Sequence, residues 1–347
     1  MTKIIIKDQE KDKETLQGSN AIDVLKFVMA TMIVAMHTSL CKELTNPWFR
    51  IAVPIFFILS SYFFFKKLNG MTSEEKENRL RYYVKRIFLL YVFWLIVLSP
   101  FVLTIKWDTL TSHGPLVMIF YIIRSILTGN FFGASWFLIA LLIGVPMIFY
   151  LSKWLSTNWL LFATLIINIC IVLQCGYGKG CTPIELFRTL MSKTLGTGLE
   201  FTFLVSLFWI AVGKWFAETF IRIRNIFLYI GCVISMICLY LENWFVDNYD
   251  CAFRHDLYVS LIPLCMFLIL IMGGVKVKVK VAKTLRNLST LIYCLHFTIK
   301  DYILYLSGNS IDSTFVFIIT YIISIMIGLG IIQYTSHQNN SIFSYAY

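Results

Sequence analysis

The fold is decided by the stretch AIDVLKFVMATMIVAMHTSL, residues 21–40. An apolar run of this length matches the roughly 20 residues a helix needs to cross the hydrocarbon core of a bilayer. Yet it carries Asp23, Lys26 and His37 within it. Ionisable side chains are costly in lipid, so inside a span they face a cavity, a partner or a transport path. At about 100° per residue, the step from Lys26 to His37 is three turns plus roughly 20°, which puts both on one face some 16 Å apart along the axis. Asp23, three residues before Lys26, is within pairing reach on that face.

Nine further segments of the same kind follow, over 48–68, 87–105, 134–151, 159–175, 198–219, 226–242, 257–274, 288–306 and 313–334. The expectation is an all-α polytopic transmembrane bundle with both termini cytoplasmic. Composition agrees: 58% of the 347 residues are hydrophobic and 14% are charged, against about 25% charged in soluble domains. The net charge of +11 would suggest nucleic acid in a soluble chain. Here Lys and Arg gather in the segments that ten spans place inside, as the positive-inside rule requires. They are Lys3, Lys7, Lys11 and Lys13; Lys76, Arg79, Arg81, Lys85 and Arg86; Lys153; Arg222 and Arg224; and Lys276, Lys278, Lys280, Lys283 and Arg286. No nucleic-acid partner is expected. The location is a cell membrane, most simply a bacterial cytoplasmic membrane, with lipid as an obligatory neighbour.

The expected organisation is a cytoplasmic tail over 1–20, a membrane domain over 21–335 and a short C-terminal tail over 336–347. No cleavable signal peptide is evident, because the first residues are polar and the apolar run after them holds Lys26. Residues 116–130 are apolar but contain Arg124, and read as a short interfacial or re-entrant piece. Val275–Val281 alternates Val and Lys, a strand-like period, but a lone strand has no partner there and a basic surface linker fits better. The nine Cys show no close-spaced metal pattern, and no metal is expected. Cys170, Cys232, Cys238, Cys265 and Cys294 read as small core residues. Cys175, Cys181 and Cys251 fall near outer loops, where a disulfide is possible.

Several local patterns accompany Lys26 and His37. Arg50-Ile51-Ala52-Val53-Pro54-Ile55-Phe56-Phe57-Ile58-Leu59-Ser60-Ser61-Tyr62 opens the second span, Ser135-Trp136-Phe137-Leu138 opens the fourth, and Ser289-Thr290-Leu291-Ile292-Tyr293-Cys294-Leu295-His296 runs through the ninth. Together with a basic residue, ten residues and then His in the first span, these resemble the acyltransferase 3 family of membrane O-acyltransferases. The family usually has Arg where Lys26 stands and Gly where Ser61 stands. Lys keeps the charge but lacks the bidentate fork of Arg.

The resemblance implies transfer of an acyl group, most simply acetyl, from cytoplasmic acyl-CoA to a hydroxyl of an extracytoplasmic or lipid-linked envelope glycan. Acetyl-CoA or another acyl-CoA would be a co-substrate, with no bound cofactor. It implies His37 as base or transient carrier and Lys26 as its partner in the donor site. Arg81, Lys85 and Arg86 would hold donor phosphates. Arg50, Tyr293, His296 and Trp136 would stand on the acceptor side. Tyr293 and His296, three residues apart, share a helix face. Each has a plainer reading: Lys26 snorkelling to headgroups, Arg50 as an interfacial anchor, Trp136 as packing, His296 as a cross-link between helices. Glu200, beside Gly196 and Gly198, is a further candidate polar group in the cavity, while Glu242 and Trp244 read as interfacial. The competing function is a multi-pass transporter of a small polar substrate or glycan, because basic and His residues inside spans also mark substrate paths.

Overall fold

A computed structural model describes residues 20–41, 46–112, 114–133, 135–219, 223–275, 277–337 and 342–347. The expected tail therefore lies outside the described residues except for Asn20, as do Lys42, Arg222 and Lys276. Helix α1 runs Asn20–His37, α2 Ala52–Lys66, α3 Ser73–Thr111, α4 Pro115–Thr128, α5 Ser135–Leu151 and α6 Thr157–Gly176. Then come α7 Thr182–Leu195, α8 Phe203–Glu218, α9 Asn225–Asn248, α10 Leu261–Gly274, α11 Ala282–Leu306 and α12 Ser313–His337. Three short 3-10 turns, at Phe49–Ile51, Leu199–Phe201 and Ile342–Ala346, complete the regular structure. No strand occurs among the described residues, and the alternating Val-Lys stretch is irregular where it is described.

Seven helical stretches are long and apolar enough to cross a membrane: Asn20–His37, Asn46–Lys66, Ser73–Thr111, Thr157–Gly176, Thr182–Glu218, Asn225–Asn248 and Ser313–His337. Shorter apolar helices accompany them, and the chain is an integral multi-pass membrane protein. Each of the ten expected spans overlaps a helix, and seven of them lie on stretches long and apolar enough to cross; those at 134–151 and 257–274 fall on shorter apolar helices. Helix α4 has 14 residues, about 21 Å of rise against roughly 30 Å of hydrocarbon, so it is too short to cross upright.

Four features differ from the sequence reading. The inner basic stretch is no loop: α3 begins at Ser73, because Thr72 and Glu75 form a reciprocal capping box (Glu75 N–H to Thr72 Oγ1, 3.3 Å; Thr72 N–H to Glu75 Oε2, 2.7 Å), and such a box satisfies two orphan donors of a first turn. Arg81, Lys85 and Arg86 therefore ride a continuous helix. Residues 182–195 form helix α7, whose polar Glu185, Arg188 and Lys193 disguise an amphipathic pattern begun by Pro183 in the first turn; Pro is tolerated there because that N–H has no helical acceptor. The far C-terminal residues pack rather than trail. Ala346 is fully buried and its carbonyl accepts from Trp94 Nε1 at 3.0 Å, while Phe343 sets its ring edge-on to Phe93. Cys175, Cys181 and Cys251 are free thiols, and Cys170 and Cys238 are exposed rather than in the core.

Two pairs of helices form the frame: α2 lies along α8, and α1 lies along α11. In α2–α8 the backbones come close at Gly213, where an added methyl would overlap Ser61 Oγ and the Ile58 carbonyl. Small residues permit such approach where lipid leaves van der Waals packing as the main driving force. Ser61 is fully buried and donates to the Phe57 and Ile58 carbonyls at 2.8 and 3.1 Å. Its extra bulk is thus matched by the missing side chain opposite. Gly213→Val is expected to cost about 1–3 kcal/mol by overpacking, read as a lower unfolding temperature of the detergent-solubilised protein. Helices α9 and α12 expose long apolar rows, including Ile230, Ile234, Ile237, Ile322 and Met326, as lipid-facing helices do.

Candidate functional site

The α1–α11 contact sets the centre of the site. His37, at the end of α1, stacks on His296 with ring centroids 5.3 Å apart and planes at 30°, and meets the edge of Phe297 at 5.0 Å. His296 is 1% exposed. Its Nδ1 lies 2.8 Å from the Tyr293 carbonyl and 3.1 Å from that of Ile292. A ring nitrogen facing two carbonyls must donate, which leaves the lone pair of a neutral imidazole on Nε2. Nε2 is buried and has no protein partner among the described residues. Tyr293, one turn earlier, packs on Phe56 and Phe137 with its ring centroid 5.9 Å from that of His296.

Two contiguous cavities meet at His37. The deeper, a narrow cleft of about 670 Å³ including its open space, reaches Ile33, Trp209, Glu200, Tyr293 and His296. The outer, of about 1180 Å³ including its open mouth, reaches Lys106, Asn130, Arg254 and Asp301. His37, Arg50, Trp136 and Asp256 line both. Trp136 is held in place by Phe57 and Phe201, and Ser135 before it donates to the Gly129 carbonyl at 2.6 Å.

Arg50 sits in the 3-10 turn before α2. Its Nη1 pairs with Asp256, and its Nε donates to Asn46 Oδ1 at 2.9 Å. Arg254 reaches the same carboxylate at 3.2 Å while lying over the Phe201 ring. One carboxylate between two guanidinium groups leaves a surplus of positive charge at the cavity wall.

Glu200 is buried, its side chain wholly removed from solvent, and Arg188 grips it at 2.5 and 3.2 Å. Glu200 thus lies in the cavity wall, with its cation supplied from helix α7 rather than from its own segment. Gly198 gives the carboxylate room, since a side chain there would collide with it. Glu242 is likewise structural rather than merely interfacial. It accepts from Tyr177 Oη and from the N–H groups of Val259 and Ser260 at 2.5, 2.6 and 2.8 Å, tying α6, α9 and the start of α10 together.

At the other end of α1 the charges converge separately. Lys26 Nζ lies 4.9 Å from the Phe63 ring centroid, and Asp23 faces Arg286 at 3.7 Å. Arg86 and Arg286 act electrostatically on Lys26, and with Arg79 they also act on Lys67. Arg81, Lys85 and Arg86 are all exposed on α3. The structure therefore brings together His37, Arg50, Trp136, Tyr293 and His296 around one cavity, and Lys26 with Arg86 around another centre.

Comparison with known proteins then bears on this arrangement. The family model described as an acyltransferase domain, of the acyltransferase 3 type, matches residues 19–334. This chain belongs to that family. The match covers both charge centres and the α-helices described above, the last of them as far as residue 334. Among curated relatives, an amino-acid racemase of Enterococcus faecalis is 26% identical over 298 residues, covering 80% of this chain and 40% of that protein. A serine/alanine racemase of Enterococcus gallinarum is 26% identical over 269 residues, covering 72% of this chain and 36% of that protein. The chain thus spans about two fifths of the curated relatives it matches. No solved structure matches this acyltransferase 3 chain.

Asp256 and Arg254 escaped the sequence reading because they sit in a polar connecting stretch, where charge is ordinary, and Arg188 because it rides the polar-looking helix α7. The signal that points to them is the need of a half-buried Arg50 and a buried Glu200 for counter-charges.

Proposed function

We propose that this protein transfers an acyl group, most simply acetyl, from acyl-CoA on the cytoplasmic side to a hydroxyl of an extracytoplasmic or lipid-linked glycan. The observation that carries this reading is the pair of centres on one helix. A cationic cluster around Lys26, Arg86 and Arg286 suits the donor phosphates, and His37 stands three turns away in a cavity large enough for a sugar. Positive-inside bias puts the Lys26 end in the cytoplasm.

His37 takes the proton from the acceptor hydroxyl as its oxygen attacks the thioester carbonyl, and returns that proton to the departing thiolate. A His suits both roles because its ordinary pKa lies near neutrality. The lone pair of His296 Nε2 orients the hydroxyl or the His37 ring. Arg50, held by Asp256, faces the developing oxyanion. Trp136 and Tyr293 wall the acceptor, and the thioester supplies the driving force.

The test uses inverted membrane vesicles supplied with labelled acetyl-CoA outside. Label is expected as an alkali-labile ester on glycan in the lumen. Lys26→Gln is expected to raise the KM for acyl-CoA roughly tenfold, the loss of one charge-assisted contact, and Lys26→Arg to restore it. Label moving without ester formation, or uptake of a glycan without acyl-CoA, would replace this reading with transport.

A further inference from the structure

We infer that the outer cavity selects acceptors carrying a negative group, a carboxylate or a phosphate, and that Lys106 is the residue that reads it. The inference rests on the glycan acceptor proposed above and adds which acceptors are taken. Arg50, Lys106 and Arg254 bring positive charge to the cavity wall, against the carboxylates of Asp256 and Asp301. Neither carboxylate is free. Asp256 is shared between Arg50 and Arg254, so it offsets only one of them. Asp301 acts on Lys106 electrostatically but is paired with Lys300 at 2.9 Å. No carboxylate pairs directly with Lys106 among the described residues. The positive surplus reaches the proposed base, since Lys300, Arg50 and Arg254 all act electrostatically on His37.

Lys106 shares its face of α3 with Val102, four residues earlier, which lines the same cavity. Its Nζ donates to the carbonyl of Phe131, another wall residue, at 3.2 Å. An ammonium has three donors, so capacity is left for a ligand. On the α11 side, Thr298 and Asp301 are three apart and line the cavity together. Thr298 is 4% exposed, and its hydroxyl has no partner among the described residues. A helical Thr can donate to the carbonyl four residues back, as Thr104 does to Pro100 at 2.9 Å. Thr298 does not, which keeps its donor for something else. An anion seated in this wall would take a charge-assisted hydrogen bond from Lys106 and a neutral one from Thr298.

A lysine near the end of a span can instead snorkel to lipid headgroups. The bond from Lys106 to Phe131, 25 positions along the chain, ties it to the cavity wall instead. A cationic cavity also suits the oxyanion of the transfer step, but Arg50 fills that role in the reading above. Lys106 and Arg254 are left over for a charge that the acceptor itself brings.

The experiment is saturation-transfer difference NMR on the full chain in phosphatidylcholine nanodiscs, with no acyl donor present. The probes are neutral and charged forms of one hexose: methyl glucoside, methyl glucuronide and a glucose phosphate. At least one charged probe is expected to bind roughly tenfold more tightly than the neutral one, as one charge-assisted contact allows, and the tighter of the two identifies the group. Lys106→Gln should abolish that preference and Lys106→Arg should keep it, a pattern that a merely structural lysine would not give. Equal binding of all the probes, binding of none, or a preference that survives Lys106→Gln would each overturn the inference. So would loss of the preference when phosphatidylglycerol is added to the disc, which would assign the lysine to lipid headgroups. Because no acyl donor is present, failure of the transfer reaction would leave this readout intact.

Discussion

Replacing His37 with Ala is expected to lower acyl transfer by about 10²- to 10⁴-fold, the usual contribution of a positioned general base. The protein should remain folded. His37 is only half-buried and lies at a cavity wall, and its stacking partner His296 stays anchored to the Tyr293 and Ile292 carbonyls without it. The measurement is the rate of ester formation per folded protein, with folding checked by unfolding temperature. His296→Ala separates position from chemistry. It removes the lone pair beside His37 but leaves the base, so its loss should be smaller and should fall on kcat more than on the KM for acyl-CoA. Equal losses in the two variants would mean that the imidazoles act as one unit.

The second large effect concerns folding. Arg188→Ala leaves the Glu200 carboxylate buried without its cation. Breaking a buried pair in this way typically costs about 3–5 kcal/mol, which is severe against the roughly 5–15 kcal/mol of an ordinary domain. The double variant Arg188→Met with Glu200→Gln should recover most of that, because no uncompensated charge remains. Thermal unfolding in detergent reads both. Recovery of stability without recovery of transfer would place Glu200 in the chemistry as well as in the frame.

The spans were legible because lipid imposes a length and a composition on each segment, and all ten expected spans overlap helices, seven of them on stretches long and apolar enough to cross. The Lys26–His37 relation was legible for the same reason, since helical periodicity fixes which residues share a face. Long-range pairing was less so. His37 meets His296 across 259 positions, and the late motif marked His296 as a candidate but could not by periodicity bring it against α1. Arg50 and Asp256 are similarly remote, and the polar stretch around Asp256 offers no apolar rhythm to place it. Helix α7 was missed because its charges mask an amphipathic face that borders Glu200. The capping box at Thr72 and Glu75 is the opposite case: its signature stood in the sequence, but the density of Lys and Arg behind it suggested a loop.

The most direct test of the central claim is mass analysis of envelope glycans from cells with the protein, cells without it, and cells carrying His37→Ala. The account predicts an ester of defined mass, 42 Da for acetyl in the simplest case (roughly one C₂H₂O unit added to a hydroxyl). It should be present only with the intact protein and be removed by mild alkali. Glycans of identical mass in all three, or an ester that persists with His37→Ala at normal protein levels, would contradict it.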